Sequence, residues 1–305
     1  MAGMRARTLA VDATLGERAH YAYEQYAELA KARLNTMIVV TTGAGFVMGS
    51  SGGGIDWVKL FWTCVGTFLA AAGASALNQR LEIAQDRRMG RTRNRPLVTG
   101  AIKPFQALVF GLAASVAGVA ILCPTSNGMT AVLGLANIVL YAVVYTLLKR
   151  VTIWNTVVGA VVGAIPPMMG WAAADHGKLA AGAWVLGAIL FIWQMPHFLA
   201  LAWMYKEDYA KGGFKMLSVG DATGRKTAAA AAVFSLLLLP IGPLAVWLHL
   251  AGICFAVTAI ALSIGMLVLA IRFWGATTRD RAKRLFFASL IYLPVVLLVM
   301  VADRG

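Results

Sequence analysis

The sequence predicts an all-α integral membrane protein, a bundle of nine transmembrane helices. Three observations predict it. The chain has 305 residues, 60% of them hydrophobic and only 13% charged, and its mean hydropathy is +0.73. A soluble domain carries about 25% charge and roughly 45–50% apolar residues. Apolar segments of spanning length follow one another from about residue 35 to the end. Basic residues crowd into alternate loops, as the positive-inside rule requires of a correctly counted set of spans.

Residues 1–33 read as a polar cytoplasmic tail, and 34–305 as one membrane domain. The tail has no apolar core of a signal peptide. Its acids Asp12, Glu17, Glu24 and Glu28 argue against a mitochondrial transit peptide. A short surface helix is expected near Tyr21 to Lys31. The spans are expected at about 35–53, 57–77, 105–123, 127–147, 152–173, 180–203, 228–248, 250–271 and 285–302. The first runs into "TTGAGFVMGSSGGG", which blurs its end, and only "HL" separates the seventh from the eighth. Prolines inside spans, such as Pro166, Pro167 and Pro196, are tolerated where neighbouring helices satisfy the freed carbonyls.

Charge tests the count independently. Of the 27 Lys and Arg residues, only Lys59, Lys178 and Arg304 fall on one face of the alternation. The N-terminus is therefore expected in the cytoplasm and the C-terminus across the membrane, a bacterial inner membrane by preference. In a mitochondrion the basic face would meet the matrix. The net charge of +14 needs no nucleic-acid partner, because a basic cytoplasmic face accounts for it. Cys64, Cys123 and Cys254 lie in apolar spans, far from any His cluster, and read as small buried hydrophobes.

Opposite charges nevertheless concentrate in "NQRLEIAQDRRMGRTRNRPL", residues 78–97. Asn78, Glu82 and Asp86 are spaced i, i+4, i+8 and drift by only about 40° per step. On a continuous helix they form one polar ridge at the end of the second span. Two carboxylates and an amide oxygen suit a hard cation such as Mg²⁺, which bridges to substrate phosphates. Arginines beside them suit the remaining phosphate oxygens. The alternative is a salt-bridged surface loop that fixes topology. A second stretch, "WQMPHFLALAWMYKEDYAKGGFKML", brings His197, Tyr205, Lys206, Asp208 and Lys211 to the same face. Two acid-bearing, base-rich loops could hold two metal ions around one diphosphate.

"NQRLEIAQDRRMGRTRNRPLVTG", "PHFLALAWMYKEDYAKGG" and "GAIPPMMGW" occur in the order seen in the intramembrane aromatic prenyltransferase superfamily, which the chain resembles. Within it the chain resembles the heme-farnesylating branch, from about residue 28 to the end. The resemblance implies a nine-helix bundle around a central cavity open to the cytoplasmic side. It implies transfer of a farnesyl group from farnesyl diphosphate to a vinyl group of heme b, with water added. By the same resemblance Asn78, Glu82, Asp86 and Asp208 are the metal ligands, with Mg²⁺ the metal. Arg91, Arg95, Lys206 and Lys211 are candidate diphosphate clamps, with Tyr205 beside them. Asn155 is either a helix cap or a diphosphate ligand. Glu82 takes a position that many relatives fill with Asp, and His197 sits near where they place an acid. Because Mg²⁺ disfavours imidazole, His197 is left to orient heme, ligate its iron, assist proton transfer, or cap a helix.

Other readings are a prenyltransferase for another aromatic or chlorophyll-type acceptor, a transporter, and an assembly factor. A transporter would place charge near mid-span, whereas these acids sit at span ends. Contact with a downstream heme A synthase or with oxidase assembly proteins is compatible with the implied reaction.

Overall fold

The computed structural model describes residues 14–50 and 54–304. They form α1 (Leu15–Leu29), α2 (Ala32–Gly49), α3 (Trp57–Leu81), α4 (Ile83–Asp86), α5 (Pro96–Thr99) and α6 (Pro104–Thr125). After these come α7 (Gly128–Val151), α8 (Asn155–Ala174) and α9 (Ala181–Met204), then α10 (Lys206–Gly212) and α11 (Leu217–Gly220). The chain closes with α12 (Arg225–Trp247), α13 (Ile253–Gly275) and α14 (Arg279–Ala302).

Each of the nine expected spans coincides with a helix. Among the described residues eight of them are long and apolar enough to cross a membrane. The remaining one, α2, has 18 residues. Arg33 and Asn35 in its first turn and its Thr and Gly content dilute its apolar character. Large apolar side chains point outward, among them Trp57, Val116 and Leu298. An apolar exterior of that kind faces lipid, and the chain is an integral membrane protein.

Small residues set how closely the helices approach, as expected where lipid removes the hydrophobic drive between them. At the α2–α8 crossing a Cβ on Gly45 would lie 2.0 Å from the Pro167 carbonyl oxygen, and one on Gly170 would lie 1.9 Å from that of Thr42. Only hydrogen at these two positions permits the contact. At the α3–α6 crossing a Cβ on Gly73 would meet the Gly111 carbonyl oxygen at 2.6 Å. The largest apolar core joins α9, α12, α13 and α14 through residues such as Leu186, Phe255, Phe273 and Tyr292.

Two interruptions position the site. The expected continuous ridge is not formed: α3 stops at Leu81, Glu82 has φ −103° and ψ 9°, and Asp86 sits on the separate turn α4. Sequence spacing assumed a straight helix, but the end of α3 bends where its last residues meet α1. Gln79 Nε2 donates to the Glu28 and Leu29 carbonyls at 3.1 and 2.8 Å, latching α1 there. Leu29 is buried with Ala76, Leu97, Ile102 and Ala107. Thr14 and Glu17 form a capping box that starts α1. The second interruption is a π-helical segment, Leu140–Tyr145, inside α7. Such bulges recur at functional sites; this one carries Tyr141 and Tyr145, whose rings stack at 5.7 Å.

Candidate active site

A cleft of about 390 Å³ opens among α2, α7, α8 and α9 and the short helices at their basic-loop ends. One end is charged. Lys31, Arg91, Arg95 and Lys149 line it beside Glu82 and Asp86, so four bases face two acids. The other end is apolar and aromatic, with Pro166, Leu190, Trp193, Phe198 and Leu293 around His197.

The carboxylates are almost fully buried, Glu82 at 3% and Asp86 at 1% exposure. Lys149 Nζ donates to Glu82 Oε1 at 2.7 Å, and Arg95 donates to Asp86 Oδ2 at 2.6 Å. Burial works to raise the Glu82 pKa, yet Lys149, with Lys31 and Arg95 nearby, holds it below the usual carboxylate range. Burial wins at Asp86 and pushes its carboxyl up despite Arg95. Asn78 is fully buried; its amide donates to Thr146 Oγ1 at 2.8 Å, and its oxygen accepts from Lys31 Nζ at 3.1 Å. Lys31 also donates to the Tyr141 hydroxyl at 2.8 Å. Burial, then the nearby Arg95 and Lys149, pushes the Lys31 ammonium down to about 7.

Lys31 has φ 49°, a left-handed conformation that an ordinary side chain adopts at a cost of roughly 1–2 kcal/mol. That kink between α1 and α2 aims the ammonium inward. Sequence reasoning placed Lys31 in the tail and counted Lys149 only as a topological base, so both were missed. Lys149 left a signal, since it ends a long uncharged stretch; Lys31 left none.

The second stretch divides. Arg91 reaches the cleft with its guanidinium 5.1 and 5.8 Å from the Tyr205 and Tyr209 ring centres. Asp208 does not join Glu82 and Asp86. Its two oxygens accept the Gly90 and Arg91 backbone N–H groups, both at 3.3 Å, and tie α10 to the first loop. Lys206 donates to the Asp221 carbonyl at 2.7 Å, away from the cleft. Lys211 is exposed. Asn155 is buried and donates to the Thr152 and Lys215 carbonyls at 2.6 and 2.8 Å, pinning a loop beside Lys149. Neither Asn78 nor Asn155 lines the cleft. Among Trp154, Trp171, Trp184, Trp193 and Trp203, Trp193 alone lines it. His197 lines it too, stacked on Trp193 and Phe286 at centroid distances of 5.3 and 4.7 Å.

Such a cleft suits a ligand with a compact anionic head and a large apolar body. Residues 38–291 match the model of the UbiA prenyltransferase family. The chain belongs to the UbiA prenyltransferase family. It is 40% identical over 294 residues to the mitochondrial protoheme IX farnesyltransferase of Arabidopsis thaliana, covering 96% of this chain and 68% of that protein. The human mitochondrial protoheme IX farnesyltransferase is 44% identical over 91% of this chain, which spans 62% of the human protein's length. Protoheme IX farnesyltransferase of Solibacter usitatus is 39% identical, covering 92% of this chain and 98% of its own. Among solved structures, one described under the biosynthesis of digeranylgeranylglyceryl phosphate synthase in membranes superimposes with a TM-score of 0.77 at 17% identity, over 92% of this chain and 98% of that chain. A UbiA homolog from Archaeoglobus fulgidus bound to GPP and Mg²⁺ superimposes with a TM-score of 0.67 at 14% identity, over 91% of this chain and 99% of that chain. These structural likenesses establish the UbiA fold.

The donor set at the charged end fits Mg²⁺. Glu82 and Asp86 offer only oxygen, and Asp86 Oδ1 is buried without a hydrogen-bond partner. Mg²⁺ is held by one or two carboxylates together with substrate phosphates and water. No three His, Cys, Asp or Glu side chains converge among the described residues, so the protein alone builds no closed cage.

Proposed function

We propose that this chain transfers the farnesyl group of farnesyl diphosphate to a vinyl group of heme b, adds water, and releases diphosphate and heme o. The observation that carries the reading is the charge surplus of the cleft: two buried carboxylates among four bases, opening onto an apolar, aromatic chamber. The family and the relatives supply the chemistry that such a cleft performs.

Glu82 and Asp86 would hold Mg²⁺, which when bound supplies positive charge to the departing diphosphate. Arg91, Arg95, Lys31 and Lys149 would take the remaining phosphate oxygens. Arg95 and Lys149 are already charge-paired with the two carboxylates, so they are held in place before a substrate arrives. Asp208 would keep Arg91 in position through the first-loop backbone. In the reaction the farnesyl C1–O bond breaks and C1 bonds to the terminal vinyl carbon. The inner vinyl carbon then takes hydroxide from water, and one proton is released. The apolar chamber keeps bulk water from the allylic cation until the new C–C bond exists.

We read α2 as the ninth span, since it packs through Gly45 against α8. That count puts the N-terminus and the charged end of the cleft on the basic, cytoplasmic or matrix side. A downstream heme-modifying enzyme or oxidase assembly protein fits as recipient of the product.

The test is turnover in membranes carrying the chain, given heme b and farnesyl diphosphate with and without Mg²⁺, read by mass spectrometry. The expected product is a Mg²⁺-dependent heme adduct carrying farnesyl plus water. Prenyl transfer to a different acceptor would keep the charged site and discard heme.

A further inference from the structure

His197 is the one imidazole in the cleft, and its surroundings fix its protonation chemistry. Ser289 on α14 is fully buried. Its hydroxyl donates to the Phe286 carbonyl at 2.6 Å. A serine hydroxyl has one hydrogen, and that hydrogen is thereby spent. The Ser289 oxygen also lies 2.8 Å from His197 Nδ1. With no hydrogen left on the serine for this contact, Nδ1 must be the donor. A neutral imidazole protonated at Nδ1 carries its lone pair on Nε2. Nε2 has no hydrogen-bond partner among the described residues, and His197 lines the cleft. The ring plane is held as firmly as the tautomer: Trp193 stacks on it with an interplanar angle of 24°, and Phe286 with 28°. Trp193 Nε1 donates in turn to the Ser289 carbonyl at 2.7 Å, closing α9 onto α14 around the histidine.

We infer that Ser289 is a positioning residue that fixes His197 as the Nδ1–H tautomer, so that Nε2 serves as an axial ligand to the iron of the tetrapyrrole acceptor. The inference rests on the heme reading above. Three features favour coordination over a structural role. Imidazole nitrogen suits iron. A ligating histidine characteristically donates its other N–H to an oxygen acceptor, which orients the ring and raises its basicity. A histidine that merely capped a helix would turn its lone pair to a backbone N–H, whereas the hydrogen bond His197 makes is through Nδ1 to Ser289. Iron ligation would also set the porphyrin's height in the cleft relative to the charged end, and so which vinyl group approaches the farnesyl carbon.

The purified full chain is titrated with ferric heme b and, separately, with metal-free protoporphyrin IX, following the Soret band and the iron spin state. Wild type is expected to give an imidazole-ligated ferric spectrum. His197→Gln loses that spectrum and weakens ferric heme binding while leaving metal-free porphyrin affinity unchanged. Ser289→Ala weakens ferric heme binding by about 10-fold, the scale on which outer-shell partners act, and Ser289→Thr restores it. His197→Gly with added imidazole recovers the spectrum, which separates lost ligation from lost folding. An unchanged ferric spectrum in His197→Gln, or Ser289→Ala indistinguishable from wild type, overturns the inference but leaves heme farnesylation standing. Wild type that binds neither porphyrin overturns both.

Discussion

The two ends of the cleft are built by different physics. At the charged end two ion pairs, Lys149 with Glu82 and Arg95 with Asp86, and the hydrogen bond from Lys31 to the Asn78 oxygen hold the buried groups. At the other end a single imidazole is held by neutral hydrogen bonds and ring stacking. Buried charge is expensive unless paired, so the charged end is organised as a set of mutual dependencies. Neutral groups satisfied locally carry no such debt. A change at the first end should therefore spread to stability as well as activity, and a change at the second should stay confined to one substrate.

The largest effect expected is on turnover at the charged end. Glu82→Gln and Asp86→Asn should each reduce kcat by more than about 100-fold, the scale of one lost pre-organised electrostatic contact. Near-normal Mg²⁺-dependent rates in both would break the metal assignment. Next comes stability. Lys149→Met leaves Glu82 buried without its cation and should cost about 3–5 kcal/mol, read as a lower unfolding midpoint in detergent. The double variant Lys149→Met with Glu82→Gln should recover part of that loss, which a purely steric account of Lys149 does not anticipate.

A smaller effect separates positioning from catalysis. Asp208→Asn should raise KM for farnesyl diphosphate more than it lowers kcat, because Asp208 holds the Gly90 and Arg91 backbone and does not line the cleft. A collapse of kcat at unchanged KM would return Asp208 to the metal site. The smallest effect lies outside both ends. Burial works to raise the Asp221 pKa, but hydrogen bonds from the Thr227 backbone and side chain and the Gly224 N–H hold it below the usual carboxylate range. A depressed folded-state pKa gives stability that is present above the unfolded value and lost as pH falls through the folded one. Asp221→Asn should flatten the acid limb of the unfolding profile and leave diphosphate and heme binding alone.

The same contrast explains what was legible in the sequence. Span positions were readable because apolar runs of spanning length report burial in lipid directly. Glu82 and Asp86 were readable because they stand together among arginines in one short polar stretch, although their helix breaks where α1 docks. Lys31 and Lys149 were not, because the spacing within one segment says nothing of a partner 67 residues away, as Lys149 is from Glu82. Asp208 was assigned to the metal and Lys206 to the diphosphate by resemblance, yet their side chains are engaged in joining loops. The histidine was legible as a residue that oxygen-seeking metals would avoid. Its tautomer depends on Ser289, 92 residues further along the chain.

The most direct test of the divided cleft is to measure farnesyl diphosphate and ferric heme binding separately, by calorimetry, in Glu82→Gln and His197→Gln. The account predicts a crossed result: Glu82→Gln loses Mg²⁺-dependent diphosphate binding and keeps heme, while His197→Gln weakens heme and keeps diphosphate. Loss of the same ligand in both folded variants would contradict it.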